Sequence, residues 1–110
     1  MKLIKSIVRP NKVDEAKDAV GKLGVSGITV TEVRGHGKQR GHTTMYRGQE
    51  YDVTLLPKME IELVVPDDLV DEVVKAIIQT TRTGEIGDGR VFVMPVHASY
   101  RIRTGERESG

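Results

Sequence analysis

A chain of 110 residues is one domain's worth of sequence, enough to bury an aliphatic core but too short to enclose a complete substrate cleft alone. Its 17 Lys and Arg against 16 Asp and Glu leave a formal charge of +1, which excludes the broad basic footprint of a direct nucleic-acid binder. With no cysteine there is no disulfide or thiolate chemistry, and no leader pattern or membrane-length apolar run occurs, so the expected compartment is the cytoplasm.

In chain order, Leu3 to Arg9 reads as a strand. After Pro10, Asn11 is placed to cap a helix whose start carries Asp14 and Glu15, whose buried stripe is Val13, Ala16, Val20 and Leu23, and which Gly24 ends. Ile28 to Arg34 is a second, β-branched strand. Residues 37–57 then show little helical or alternating pattern, and a loop of that length in a small domain calls for a function.

The pattern repeats after the loop. Met59 to Val65 is a strand, Pro66 follows, and Asp67 is the expected cap. Val70, Val73, Val74, Ile77 and Ile78 then recur at the spacing of one helix face. Arg90 to Val96 is the last strand, and Arg107 to Gly110 reads as a frayed tail. Two β-α-β units predict an α+β, ferredoxin-like sandwich with two helices on one face of an antiparallel sheet. Val91, Phe92, Val93 and Met94 are apolar at both strand parities, so the second sheet face also needs cover, as in a closed cyclic oligomer.

Three clusters combine glycine with cations. Residues 82–90 form a Gly-rich turn containing Gly84, Gly87 and Gly89 between Arg82 and Arg90, without the Gly-Lys-Ser/Thr ending of a P-loop. Gly35, Gly37, Lys38, Gln39, Arg40 and Gly41 open the long loop. Arg101, Ile102 and Arg103 would put both guanidinium groups on one side of an extended segment. Together with near-neutral charge and few aromatics, these clusters fit one small polyanion better than RNA. Catalytic patterns are weaker. His36, His42 and His97 lack metal-ligand spacing, and Asp67, Asp68, Asp71 and Glu72 suit the start of a helix.

Tyr46-Arg47-Gly48-Gln49-Glu50-Tyr51, residues 83–93 and Arg101-Ile102-Arg103-Thr104-Gly105-Glu106 resemble, in order and spacing, the motifs of the PII nitrogen-regulatory signal-transduction family, and the likeness covers residues 1 to about 107. The resemblance implies a non-enzymatic homotrimer holding ATP or ADP in clefts between neighbouring subunits. Gly87, Asp88, Gly89 and Arg90 would meet the phosphates from one subunit, and Arg101 and Arg103 from the next. Gly35, Gly37 and Lys38 would complete that cradle, with Thr29, Val64 and Glu62 around the base and ribose. The effector 2-oxoglutarate would lie among Gly37, Gln39, Gly41, Lys58 and Gly87, with Gln39 on a Mg²⁺ ion shared with ATP and Lys58 on the distal carboxylate.

The same resemblance makes residues 37–57 the partner-binding loop, residues 101–110 a C-terminal segment, and Tyr51 the residue for uridylylation or adenylylation. The partners it implies are the ammonium transporter, the only route to a membrane, the nitrogen sensor kinase, nucleotidylyltransferases and N-acetylglutamate kinase. Departures from the family's commonest pattern are Asn11, His36, Lys38, Gln49 and Arg90. Two other readings keep the fold: a PII-like trimeric sensor of another small ligand, and a phosphoryl-transfer enzyme using His36 or His42.

Overall fold

The computed structural model describes residues 1–35, 43–46, 49–52 and 55–108. Alternating side chains in Lys2–Val8 make strand β1, with Ile4, Ser6 and Val8 buried on one side and Leu3, Lys5 and Ile7 half-buried on the other. A short 3-10 turn, Pro10–Lys12, leads into helix α1 (Val13–Gly21). Ala16 and Val20 of this helix are fully buried, and Val13 and Leu23 pack against the same core. The helix ends through Gly24, at φ +87°, while the Gly24 and Val25 amides donate back to Gly21 and Val20.

Strand β2 is Ile28–Gly35. Strands β3 (Thr43–Tyr46) and β4 (Gln49–Asp52) pair with each other as an antiparallel hairpin, a regular element inside the stretch the sequence pattern left without structure. Strand β5 runs Leu56–Val65 and so takes in the last residues of that stretch. A second 3-10 turn, Asp67–Leu69, precedes helix α2 (Val70–Thr81), whose Val73 and Ile77 are completely buried. Strand β6 is Gly89–Pro95, and β7 (Ser99–Tyr100) pairs with β8 (Arg107–Glu108).

The main sheet is antiparallel in the order β2-β5-β1-β6. In each half a helix carries the chain past one intervening strand, so β1-α1-β2 spans β5 and β5-α2-β6 spans β1. This is the ferredoxin-like α+β arrangement expected from the repeated pattern. Both helices lie on the face bearing Ile4, Val8, Ile61, Leu63 and Val65. Full burial of each such aliphatic side chain contributes about 1.5–3 kcal/mol.

The opposite face carries Leu3, Lys5, Ile7, Glu60, Glu62, Val64, Phe92 and Met94, aligned by the β1–β5 and β1–β6 registers. Val64 and Phe92 are exposed there, and Lys5 reaches Glu60 at 3.2 Å and Glu62 at 3.8 Å.

Several local expectations change. Neither helix has a side-chain cap: Asn11 lies inside the first 3-10 turn, and the Asp67 carboxylate instead accepts hydrogen bonds from the Met1 ammonium at 2.6 Å and Lys2 Nζ at 3.0 Å. These donors, the ammonium first, hold the Asp67 carboxyl below its usual range. Ile78 is exposed although it shares the apolar spacing, because β6 ends the sheet and leaves the outer flank of α2 uncovered. Arg101 to Thr104 form a turn rather than an extended run, closed by the Gly105 amide on the Arg101 carbonyl and the Arg101 amide on the Glu106 carbonyl. Arg107 and Glu108 are a paired strand, not a frayed end.

Candidate functional site

At the end of β1, Arg9 is held extended by the proline that follows it, with φ −64° and ψ 141°. Beside it, the β1–β6 register brings Val8 opposite Gly89, where the Gly-rich turn enters β6. Gly84, Gly87 and Gly89 all have positive φ, which a side chain would strain. At Gly89 space is also closed, since a Cβ would stand 1.7 Å from the Ile7 carbonyl oxygen.

The turn is organised by Asp88. Its carboxylate accepts from the backbone amides of Thr83 and Gly84, both at 2.8 Å, from the Thr83 hydroxyl, and from Arg9 Nε at 3.1 Å. The Thr83 hydroxyl oxygen in turn accepts from the Glu85 amide at 3.1 Å. These donors, the Thr83 hydroxyl foremost, hold the Asp88 carboxyl far below the usual carboxylate range, against an opposing push from burial. Asp88 therefore braces the turn through its side chain.

Two cations grip successive carbonyls of the same turn. The Arg9 guanidinium donates to the Ile86 carbonyl at 3.0 Å, and Lys58 Nζ donates to the Gly87 carbonyl at 2.6 Å. Lys58 comes from β5, and its side chain is almost entirely buried. Desolvation lowers its pKa, Arg9 adds to that effect, and Asp88 opposes it. The first residues of β5 after the long loop are thereby bonded directly to the Gly-rich turn.

The sequence-predicted residues divide among these elements. Thr29 and Glu62 face each other across β2 and β5, and Gly35 ends β2 opposite Leu56. Val64 borders a cleft of about 590 Å³ that also contains Arg101, Arg103, Ser99, Glu106 and Glu108. There Arg101 Nε is paired with Glu108 at 2.6 Å. This cleft adjoins the start of β1, whereas Gly87 to Arg90 adjoin its end, roughly 20 Å away at about 3.3 Å per residue. A single chain thus brings Lys58 to Gly87, Asp88 and Arg9 but keeps Arg101 and Arg103 apart from them.

Tyr51 lies in β4, opposite Thr44. Gly37, Lys38, Gln39 and Gly41, with His36 and His42, lie outside the described residues. Arg9 carries no motif in the sequence beyond its place at the end of the first strand. Its place beside the turn follows from β1–β6 pairing, which one strand's sequence does not encode.

The family model described as "Nitrogen regulatory protein P-II" matches residues 1–106. The chain is 54% identical over 108 residues to "Nitrogen regulatory protein P-II 1" of Escherichia coli (strain K12), covering 98% of this chain and 96% of that one. It is 53% identical over 106 residues to "Nitrogen regulatory protein P-II" of Haemophilus influenzae, covering 96% and 95%. With the protein of the same name from Rhizobium etli it shares 50% over 109 residues, covering 99% and 97%. The chain belongs to the P-II nitrogen regulatory family.

The relatives are named as regulatory proteins. Arg90 is exposed beside the turn and has no carboxylate partner among the described residues. Among those residues, too, no three His, Cys, Asp or Glu side chains converge, and no helix is long and apolar enough to cross a membrane.

Proposed function

We propose that this P-II chain is a non-catalytic homotrimeric sensor that binds ATP or ADP between subunits and, with Mg·ATP, 2-oxoglutarate. The observation that carries this reading is the 2.6 Å bond from Lys58 Nζ to the Gly87 carbonyl, which ties the root of the 37–57 loop to the Gly-rich turn. An effector carboxylate competing for Lys58 would act on both at once. Positive-φ glycines and the exposed Arg90 suit a phosphate chain.

The distance between the two basic groups supports an intersubunit site, because Arg101 and Arg103 can meet Gly87 to Arg90 only across two chains. The apolar residues of the open sheet face, Val64 and Phe92 among them, supply a surface for that assembly. Thr29, Glu62 and Val64 would border the base and ribose. Gln39 would give an oxygen to Mg²⁺, and that ion would supply the positive charge joining phosphate and effector oxygens. The tip of the 37–57 loop would dock on targets such as an ammonium transporter, a sensor kinase, nucleotidylyltransferases or N-acetylglutamate kinase, with Tyr51 open to nucleotidylylation.

Calorimetry on the purified protein tests the reading. Saturable 2-oxoglutarate binding is expected with Mg·ATP and not with Mg·ADP. Equal binding with both nucleotides, or none with Mg·ATP, would overturn the mechanism.

A further inference from the structure

We propose that Arg9, which is not among the expected ligand-binding residues, is a positioning residue of the nucleotide site: it turns the peptide planes of the Gly-rich loop so that their amides can receive phosphate. The inference rests on the nucleotide reading above and deepens it.

The geometry begins with the two gripped carbonyls. Arg9 holds the Ile86 carbonyl at 3.0 Å, and Lys58 holds the next one along, that of Gly87, at 2.6 Å. In a planar trans peptide the N–H of the following residue points opposite to the carbonyl. The amides of Gly87 and Asp88 are therefore both directed away from the two cations. Neither finds a backbone acceptor among the described residues. Two consecutive amides with no backbone acceptor among the described residues, next to an exposed Arg90, are a donor pair able to receive an anion.

Arg9 is well built to impose this arrangement. Pro10 fixes its backbone, and its guanidinium spans two points of the turn, Asp88 Oδ1 at one and the Ile86 oxygen at the other. Through Asp88 it also reaches the amides of Thr83 and Gly84, so the preceding part of the turn is held to the same frame. Those two amides are already occupied, leaving Gly87 and Asp88 to serve the ligand. Phosphate approaching them comes from the side opposite Arg9, so Arg9 acts without touching it.

The test compares wild type, Arg9→Met and Arg9→Lys in the full chain, with ATP and adenosine binding measured by calorimetry and amide exchange at Thr83 and Gly84 by mass spectrometry or NMR. Arg9→Met should weaken ATP about tenfold, the equivalent of one charge-assisted hydrogen bond, and leave adenosine within about twofold. Exchange at Thr83 and Gly84 should quicken in the same variant without ligand. Arg9→Lys, which can still donate to one of the two acceptors, should lie between.

Equal losses for ATP and adenosine would mean general damage and overturn the proposal. So would weakened ATP with unchanged exchange, which marks direct phosphate contact, or unchanged ATP affinity in Arg9→Met. Failure of the wild-type chain to bind ATP would sink the nucleotide reading itself, and this inference with it; the exchange measurement would still show whether Arg9 holds the turn.

Discussion

Replacing Asp88 by asparagine keeps the size of the side chain and removes its charge, which isolates what the carboxylate does for the Gly-rich turn. One carboxylate oxygen faces the Thr83 and Gly84 amides, and the other faces Arg9 and the Thr83 hydroxyl. An asparagine has one accepting oxygen, so its NH₂ must meet donors on one side. The less costly choice turns NH₂ towards the Thr83 hydroxyl, which can accept, and forfeits the Arg9 bond. Losing that charge-assisted bond, and the charge assistance in those that remain, should cost about 2–3 kcal/mol.

Urea unfolding without nucleotide, at one fixed chain concentration because assembly adds to apparent stability, measures this cost. A pH series checks its origin. The folded Asp88 pKa is depressed, so its stabilisation is fully present above the ordinary carboxylate value near about 4 and is lost as pH falls towards the folded value. The gap between wild type and Asp88→Asn should therefore be constant from neutral pH down to about pH 5 and narrow progressively below about pH 4. A gap at pH 7 under about 0.5 kcal/mol, or one that does not narrow in acid, would refute the reasoning.

Gly89→Ala should destabilise by about 3 kcal/mol or more, combining left-handed backbone strain with a Cβ driven into the Ile7 carbonyl, and is checked by the same urea titration. Ser6 is completely buried and its hydroxyl has no hydrogen-bond partner among the described residues, so Ser6→Ala should be neutral or stabilising by about 1 kcal/mol; a loss of that size would show a partner in solution. Phe92→Glu places a carboxylate across from Lys5 on the open sheet face, so circular dichroism should stay native-like while sedimentation reports a smaller assembly. An unchanged mass would remove that face from the subunit interface. Lys58→Met should abolish 2-oxoglutarate binding while ATP affinity stays within about tenfold, both read by calorimetry.

Much of the fold was legible because periodicity is local. The Val70 to Ile77 spacing, the Pro10 and Pro66 landmarks and the strand alternations are each contained in one short segment, and the two β-α-β units follow from them. The β3–β4 pair was not legible, because strands of four residues are too short for alternation to stand out in the sequence. Capping by Asn11 and Asp67 failed for a related reason. A cap-type side chain takes whichever donor is nearest, and for Asp67 that is an ammonium brought in from the start of β1.

Sequence by itself determined the family, the residue types of the glycine and arginine clusters, and the apolar residues at both parities of the last sheet strand. Only tertiary structure decided which of these meet. Antiparallel pairing places Arg9 and Lys58, distant in sequence, on consecutive carbonyls of one turn, and sets Arg101 and Arg103 at the sheet's other end. Register is a long-range choice made by the whole buried face at once, so no segment read alone carries it.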